Sequence, residues 1–168
     1  MRLALYTIPP KVDREKLALL RRQLIHKRGG GHAVQYPIHC TLVRGVEVKE
    51  VDALLLELRA LALELKPADL KATTSLIAGE YWAGVGLRSN APFERLRSRL
   101  REVVEKYALE PLSDASPPHI SLAYGRGILG VSKIVSPIKH LDIDTMSVAV
   151  EDDTGAFRVL KEIRFGEA

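Results

Sequence analysis

Two histidines, each followed two positions later by a hydroxyl residue, are the side chains of this sequence best suited to do chemistry. One stands in Pro37-Ile38-His39-Cys40-Thr41-Leu42 and the other in Pro118-His119-Ile120-Ser121-Leu122, 80 positions apart. Side chains alternate between the faces of a strand, so His39 shares a face with Thr41, and His119 with Ser121. Ile38, Cys40 and Leu42 fall on the opposite, apolar face, as do Ile120 and Leu122. A single His-x-Thr strand arises readily by chance. Two copies at equivalent points of a repeating pattern point to function. Two imidazoles and two hydroxyls suit in-line attack on a phosphodiester. One imidazole takes a proton from the nucleophile and the other gives one to the leaving oxygen. An ordinary histidine pKa of about 6.5 lets either ring play either part near neutral pH. Thr41 and Ser121 can donate to the non-bridging phosphate oxygens. The arrangement requires no metal and no cofactor. Zinc is disfavoured, because there is no His-x3-His, no cysteine cluster and no obvious carboxylate beside the histidines.

The elements that must position these residues can be read from periodicity and punctuation. Leu3–Ile8 is a short apolar run ended by Pro9 and Pro10, which favours a strand. Asp13 can cap a helix running to about Lys27, with Leu17, Leu20 and Leu24 on one face, before Gly29-Gly30-Gly31 breaks it. Pro37–Val43 reads as a strand. Val51, Leu54, Leu55, Leu58, Leu61 and Leu65 recur at helical spacing. Leu70–Ala78 and Tyr81–Arg88 read as two strands around Gly79-Glu80. Asn90 can cap the next helix, with Pro92 in its first turn and Phe93, Leu96, Leu100, Val103, Val104 and Tyr107 on one face. Pro118–Tyr124 reads as a strand and Ile128–Val135 as a short helix. Ile143–Val150 and Ala156–Phe165 read as strands joined across Asp152-Asp153-Thr154-Gly155.

The order is a strand, then helix–strand–helix–strand–strand, twice. It predicts an α+β fold with two pseudo-symmetric lobes, antiparallel sheets lining a central cleft and helices outside. The half-repeats are approximately 11–88 and 89–168 of one domain spanning 1–168. A chain of 168 residues is one domain's length and should bury about two thirds of its unfolded surface. The single cysteine excludes an internal disulfide framework and fits a reducing compartment. A net charge of +4 is compatible with an anionic ligand and too weak to imply a duplex-DNA surface. The longest greasy stretch, Val51–Leu65, is broken by four charges, so no membrane span is expected. The opening apolar run is too short for a signal peptide, which implies a cytoplasmic protein.

The paired motifs resemble those of the two-histidine phosphoesterase superfamily. Its members include 2′,3′-cyclic phosphodiesterases, the so-called 2′-5′ RNA ligases, and plant and fungal cyclic phosphodiesterases acting on ADP-ribose 1″,2″-cyclic phosphate. The family pattern, His-x-[Thr/Ser] twice with an apolar residue after each, is met by His39-Cys40-Thr41-Leu42 and His119-Ile120-Ser121-Leu122. Pro118-His119-Ile120-Ser121-Leu122-Ala123-Tyr124 is also similar to the plant-type Pro-His-x-Ser-Leu-x-Tyr. Met1-Arg2-Leu3 and the Thr-Leu after His39 resemble the RNA ligase-like branch instead. The resemblance implies a bilobal fold, catalytic roles for His39 and His119, phosphate binding by Thr41 and Ser121, and a phosphate or leaving-group contact by Tyr124. Strict alternation would put Tyr124 on the apolar face with Ile120 and Leu122.

The reading that follows is a metal-independent cyclic phosphodiesterase. It opens a 2′,3′-cyclic nucleotide or RNA end, or ADP-ribose 1″,2″-cyclic phosphate, to a phosphomonoester. The protein is expected to act as a monomer. The alternatives are an enzyme of RNA 2′-5′ linkages or RNA 3′ ends, and a non-catalytic module that binds nucleotide or RNA phosphate. Tyr81 and Trp82 are candidates to stack on a nucleobase. Gly29-Gly30-Gly31-His32 reads as a connection before it reads as a phosphate-binding flap. His26 and His32 read as surface residues, and His140 as structural or exposed. Arg95, Arg97, Arg99 and Arg101, interleaved with Glu94, Glu102 and Glu105, read as a solvated helix face with i,i+4 pairs. Cys40 reads as a buried thiol rather than a nucleophile.

Overall fold

A computed structural model describes residues 1–28, 37–79, 82–124, 130–151 and 157–166. Along the chain run β1 (Arg2–Thr7), α1 (Lys11–Arg28), β2 (Cys40–Glu47), α2 (Val51–Glu64), β3 (Ala68–Ala78) and β4 (Trp82–Arg88). They are followed by α3 (Ala91–Tyr107), β5 (His119–Tyr124), a 3-10 turn (Val131–Lys133), β6 (His140–Ile143), β7 (Thr145–Glu151) and β8 (Phe157–Arg164). The strands form one antiparallel sheet in the order β6-β3-β4-β5-β2-β1-β7-β8. The fold is α+β, with its helices packed outside the sheet. α1 lies against β5, α3 against β2 and β3, and α2 against α3 and β8.

The sheet has two wings, β6-β3-β4-β5 and β2-β1-β7-β8. They meet through one residue pair, Cys40 opposite Ile120. The two motif strands are therefore the innermost strands, one from each wing. Asp144 alone separates β6 from β7, although these strands lie in opposite wings. So short a link forces the sheet to curl until one outer edge approaches the other wing. A twisted sheet curled in this way is concave on one face.

Most elements follow from the residues that read as their signals. The Asn90 side chain accepts from Phe93 N at 3.0 Å, and the expected face of α3 is buried from Phe93 to Val104. Leu54, Leu58 and Leu61 turn inward from α2. The first helix differs from expectation. It starts at Lys11, with Arg14 N donating to Pro10 O, so Asp13 sits inside the first turn, where it pairs with Lys16. Of the expected helix at Ile128–Val135, the described residues form the 3-10 turn Val131–Lys133, and Val135 bridges to Ser75. The strand expected at Ile143–Val150 begins at Thr145. Asp144 breaks the run, its carbonyl accepting from Phe165 N and its carboxylate from the Thr145 hydroxyl. The four residues of β6 gave no clear sequence signal, since His140 and Asp142 face outward between Leu141 and Ile143. The triple glycine, His32, Tyr81 and the turn at Asp152–Gly155 lie outside the described residues, as do the side chains of His26 and Lys27.

Candidate active site

The register fixed by Cys40 and Ile120 sets the site. In an antiparallel pair, Thr41 then stands beside His119 and His39 beside Ser121. All four side chains line the same cleft, on the concave face. The two histidines are diagonal neighbours across adjacent strands, a relation that separates Cα atoms by about 7–8 Å. Cys40, Ile120 and Leu122 point the other way and are fully buried. Burial pushes the Cys40 thiol up to about 12, which leaves it inert as a nucleophile.

Both imidazoles are held alike. His39 Nδ1 lies 2.7 Å from Pro37 O, and His119 Nδ1 lies 2.8 Å from Pro117 O. A carbonyl can only accept, so in each ring Nδ1 carries the hydrogen and donates it. Nε2 is then the basic nitrogen of both neutral rings. The aromatic residue Tyr6 leans on His39 with centroids 4.3 Å apart, and Trp82 stacks on His119 at 4.0 Å and 18°. One face of Trp82 is thus taken by His119. Burial is the main cause that lowers the pKa of both histidines. His39, only 5% exposed, is pushed down to about 4, with the charges of Arg21 and His119 adding to the fall and Glu151 and Pro37 O opposing it. His119 is lowered first by burial and then by Arg44, against the pull of Pro117 O.

Tyr124 reaches the cleft by a local device. Trp82, Ala83 and Gly84 of β4 pair with Tyr124, Ala123 and Ser121 of β5, so Leu122 is an extra residue in its strand. One extra residue inverts the alternation beyond it. Ala123 goes to the core and Tyr124 to the face that carries His119 and Ser121, where it lines the cleft. Arg21 of α1 donates from Nε to the Leu122 carbonyl at 2.9 Å, satisfying the bulged backbone. β2 has the same irregularity at the same motif position. Leu5 and Tyr6 pair with Val43 and Thr41, which leaves Leu42 as the extra residue. Beyond it, Arg44 lines the cleft.

The cleft has a volume of about 1010 Å³, at the upper end of ordinary ligand sites. Beyond the quartet its walls include Arg2, Arg44 and Arg101 together with Ile77, Trp82 and Tyr124. Sequence reasoning missed several of these residues. Glu151 corrects the expectation of no carboxylate near the histidines, and it is engaged by the Tyr6 hydroxyl and by Arg2 Nε at 2.9 Å. The arginines of α3 also differ from a simple solvated row. Arg97 pairs with Glu94 and donates to Ser116 O, and Arg101 donates to Ser113 O. These two residues hold the segment that leads into His119. His140 is exposed and lies 3.4 Å from Asp69, with Asp142 nearby, at the β3–β6 edge rather than in the cleft. No helix among the described residues is long and apolar enough to cross a membrane.

Escherichia coli LigT in complex with 3′-AMP superposes with a TM-score of 0.70, covering 99% of this chain and 98% of LigT at 15% identity. TT0787 of Thermus thermophilus superposes with a TM-score of 0.70, at 20% identity over 99% of this chain and 98% of its own. Kluyveromyces marxianus Usb1 gives 0.52 at 10% identity over 96% of each chain. The chain has the two-histidine phosphoesterase fold. No protein-family model and no curated protein matches the sequence. The innermost strands are β5, which carries His119, and β2, which starts at Cys40 immediately after His39, later than the strand expected at Pro37–Val43.

Proposed function

We propose that the protein is a cyclic phosphodiesterase that opens a ribose cyclic phosphate to a phosphomonoester without a metal ion. The observation that carries this reading is the paired tethering of the two imidazoles. Each Nδ1 donates to a carbonyl two residues upstream, so each Nε2 is the basic nitrogen of its neutral ring, and both rings line the cleft with Thr41 and Ser121. A phosphoryl group seated between them takes donors from the two hydroxyls. One Nε2 accepts a proton from water as the water oxygen bonds to phosphorus. The other, protonated, gives its proton to the ribose oxygen as the P–O bond breaks. The products are a phosphomonoester and a free ribose hydroxyl, and exchange with solvent resets the two rings. His39 is the more deeply buried and the harder to protonate, which favours His119 as the acid and His39 as the base.

LigT has been crystallised with 3′-AMP, NADP⁺ and ATP, and a related nucleotide chemistry suits this cleft in size and lining. The test is a panel of a nucleoside 2′,3′-cyclic phosphate, ADP-ribose 1″,2″-cyclic phosphate and a 2′-5′ dinucleotide, assayed with and without EDTA. Turnover of a cyclic phosphate that survives EDTA is the expected result. Saturable binding without turnover would make the cleft a binding module. Turnover of the 2′-5′ dinucleotide alone would replace the cyclic phosphate as substrate.

A further inference from the structure

The two motif strands are alike up to the bulge and unlike beyond it. Five residues past His119 the cleft receives Tyr124, and five residues past His39 it receives Arg44. Equivalent positions thus carry an aromatic ring on one flank of the quartet and a guanidinium on the other. The difference extends to the surroundings. Trp82 pairs with Tyr124 across β4 and β5, whereas Arg2 Nε lies beside Gly45, next along the chain from Arg44, and Arg101 lines the same cleft. Of the two acidic residues that line the cleft, Glu151 is taken by Arg2 and Tyr6, and the other is Glu110. Among the described residues neither Arg44 nor Arg101 has a carboxylate partner, and one Arg101 nitrogen donates to Ser113 O. Arg44 stands three residues beyond Thr41, about 10 Å along a strand. Its side chain is long enough to reach an anion one sugar away from a phosphorus held by Thr41.

We propose that Arg44 and Arg101 bind a second phosphate carried on the 5′ oxygen of the ribose whose cyclic phosphate is opened. The inference rests on the cyclic phosphodiesterase reading and narrows its substrate. An RNA end and ADP-ribose 1″,2″-cyclic phosphate both carry a phosphate at that position, and a nucleoside 2′,3′-cyclic phosphate with a free 5′-hydroxyl does not. Arginine suits this task because its planar fork donates twice to one phosphate. The aromatic flank is left for the base or another flat group.

The test compares adenosine 2′,3′-cyclic phosphate with the same compound bearing a 5′-phosphate, and with ADP-ribose 1″,2″-cyclic phosphate. For the native protein the 5′-phosphate is expected to raise kcat/KM by about tenfold, the size of one charge-assisted contact. That ratio should fall towards one in Arg44→Gln and Arg101→Gln, and with rising salt. Preference for ADP-ribose 1″,2″-cyclic phosphate over the 5′-phosphorylated nucleotide identifies a dinucleotide-like ligand, and the reverse identifies an RNA end. Equal kcat/KM with and without the 5′-phosphate, or a ratio untouched by both substitutions, overturns the inference and leaves the two-histidine reading standing. If no cyclic phosphate is turned over, affinities for the same pair, read from the fluorescence of the single Trp82, decide the matter without catalysis. Equal affinities then reject the second-phosphate site.

Discussion

His39 and His119 look interchangeable in sequence, yet the protein treats them differently. His39 is packed under Tyr6 and is nearly inaccessible, whereas His119 is half-buried beneath Trp82. Both give up a proton more readily than free imidazole. The kcat/KM profile of the unliganded enzyme should therefore be bell-shaped and peak below about pH 6.5. A peak above pH 7 would contradict these environments. The same shift links pH to stability. At pH 7 His39 is neutral in both folded and unfolded chains. Between about 6.5 and about 4 the unfolded chain takes up a proton that the folded one refuses, so stability falls as pH drops through that window. The total loss is about 3 kcal/mol. Urea unfolding at pH 7 and pH 4.5 should show the native protein losing about 2 kcal/mol more than His39→Gln, and parallel profiles would refute the burial argument. Much of this residue-level picture was legible. Parity assigned His39, Thr41, His119 and Ser121 to one side and Cys40 to the other. The tethers were not legible, because the accepting atom is a backbone carbonyl that any residue supplies, here Pro37 and Pro117. Glu151 and Tyr6 were not either, because only strand pairing brings β1 beside β2 and β7 beside β1.

At the scale of elements the bulges decide what the motif strands present. Alternation alone sends Tyr124 to the core, and the extra residue at Leu122 reverses that. Nothing in a single sequence marks a bulge, but the matching extra residue at Leu42 shows that the apolar residue closing each motif has a geometric role. Gly84 belongs to the same device. A Cβ there would land on the Ile120 carbonyl oxygen, so only glycine lets β4 approach the bulged strand so closely. Gly84→Ala is expected to cost about 1–3 kcal/mol, as overpacking usually does, and to lower kcat/KM by displacing His119 and Ser121. An alanine variant with native thermal stability and native kcat/KM would show that the close approach is dispensable. The helix faces were readable from spacing, because each buries one stripe. β6 was not, because four residues with two exposed polar side chains carry too little pattern.

For the whole molecule, the repeat of elements predicted two lobes from the two halves of the chain, whereas each wing of the sheet takes strands from both halves. The wings share one sheet, are joined in register by the single pair Cys40 and Ile120, and are drawn together by the one-residue link at Asp144. That closure puts the two motif strands at the centre, with both histidines lining one cleft. Residues that work as a unit do not contribute additively. The direct test is turnover of a 5′-phosphorylated nucleoside 2′,3′-cyclic phosphate by His39→Ala, His119→Ala and the double variant, each checked to be folded. Each single variant should lose at least ~100-fold in kcat, and the double variant should be little worse than the poorer single one. A single variant within a few-fold of the native rate would contradict the account.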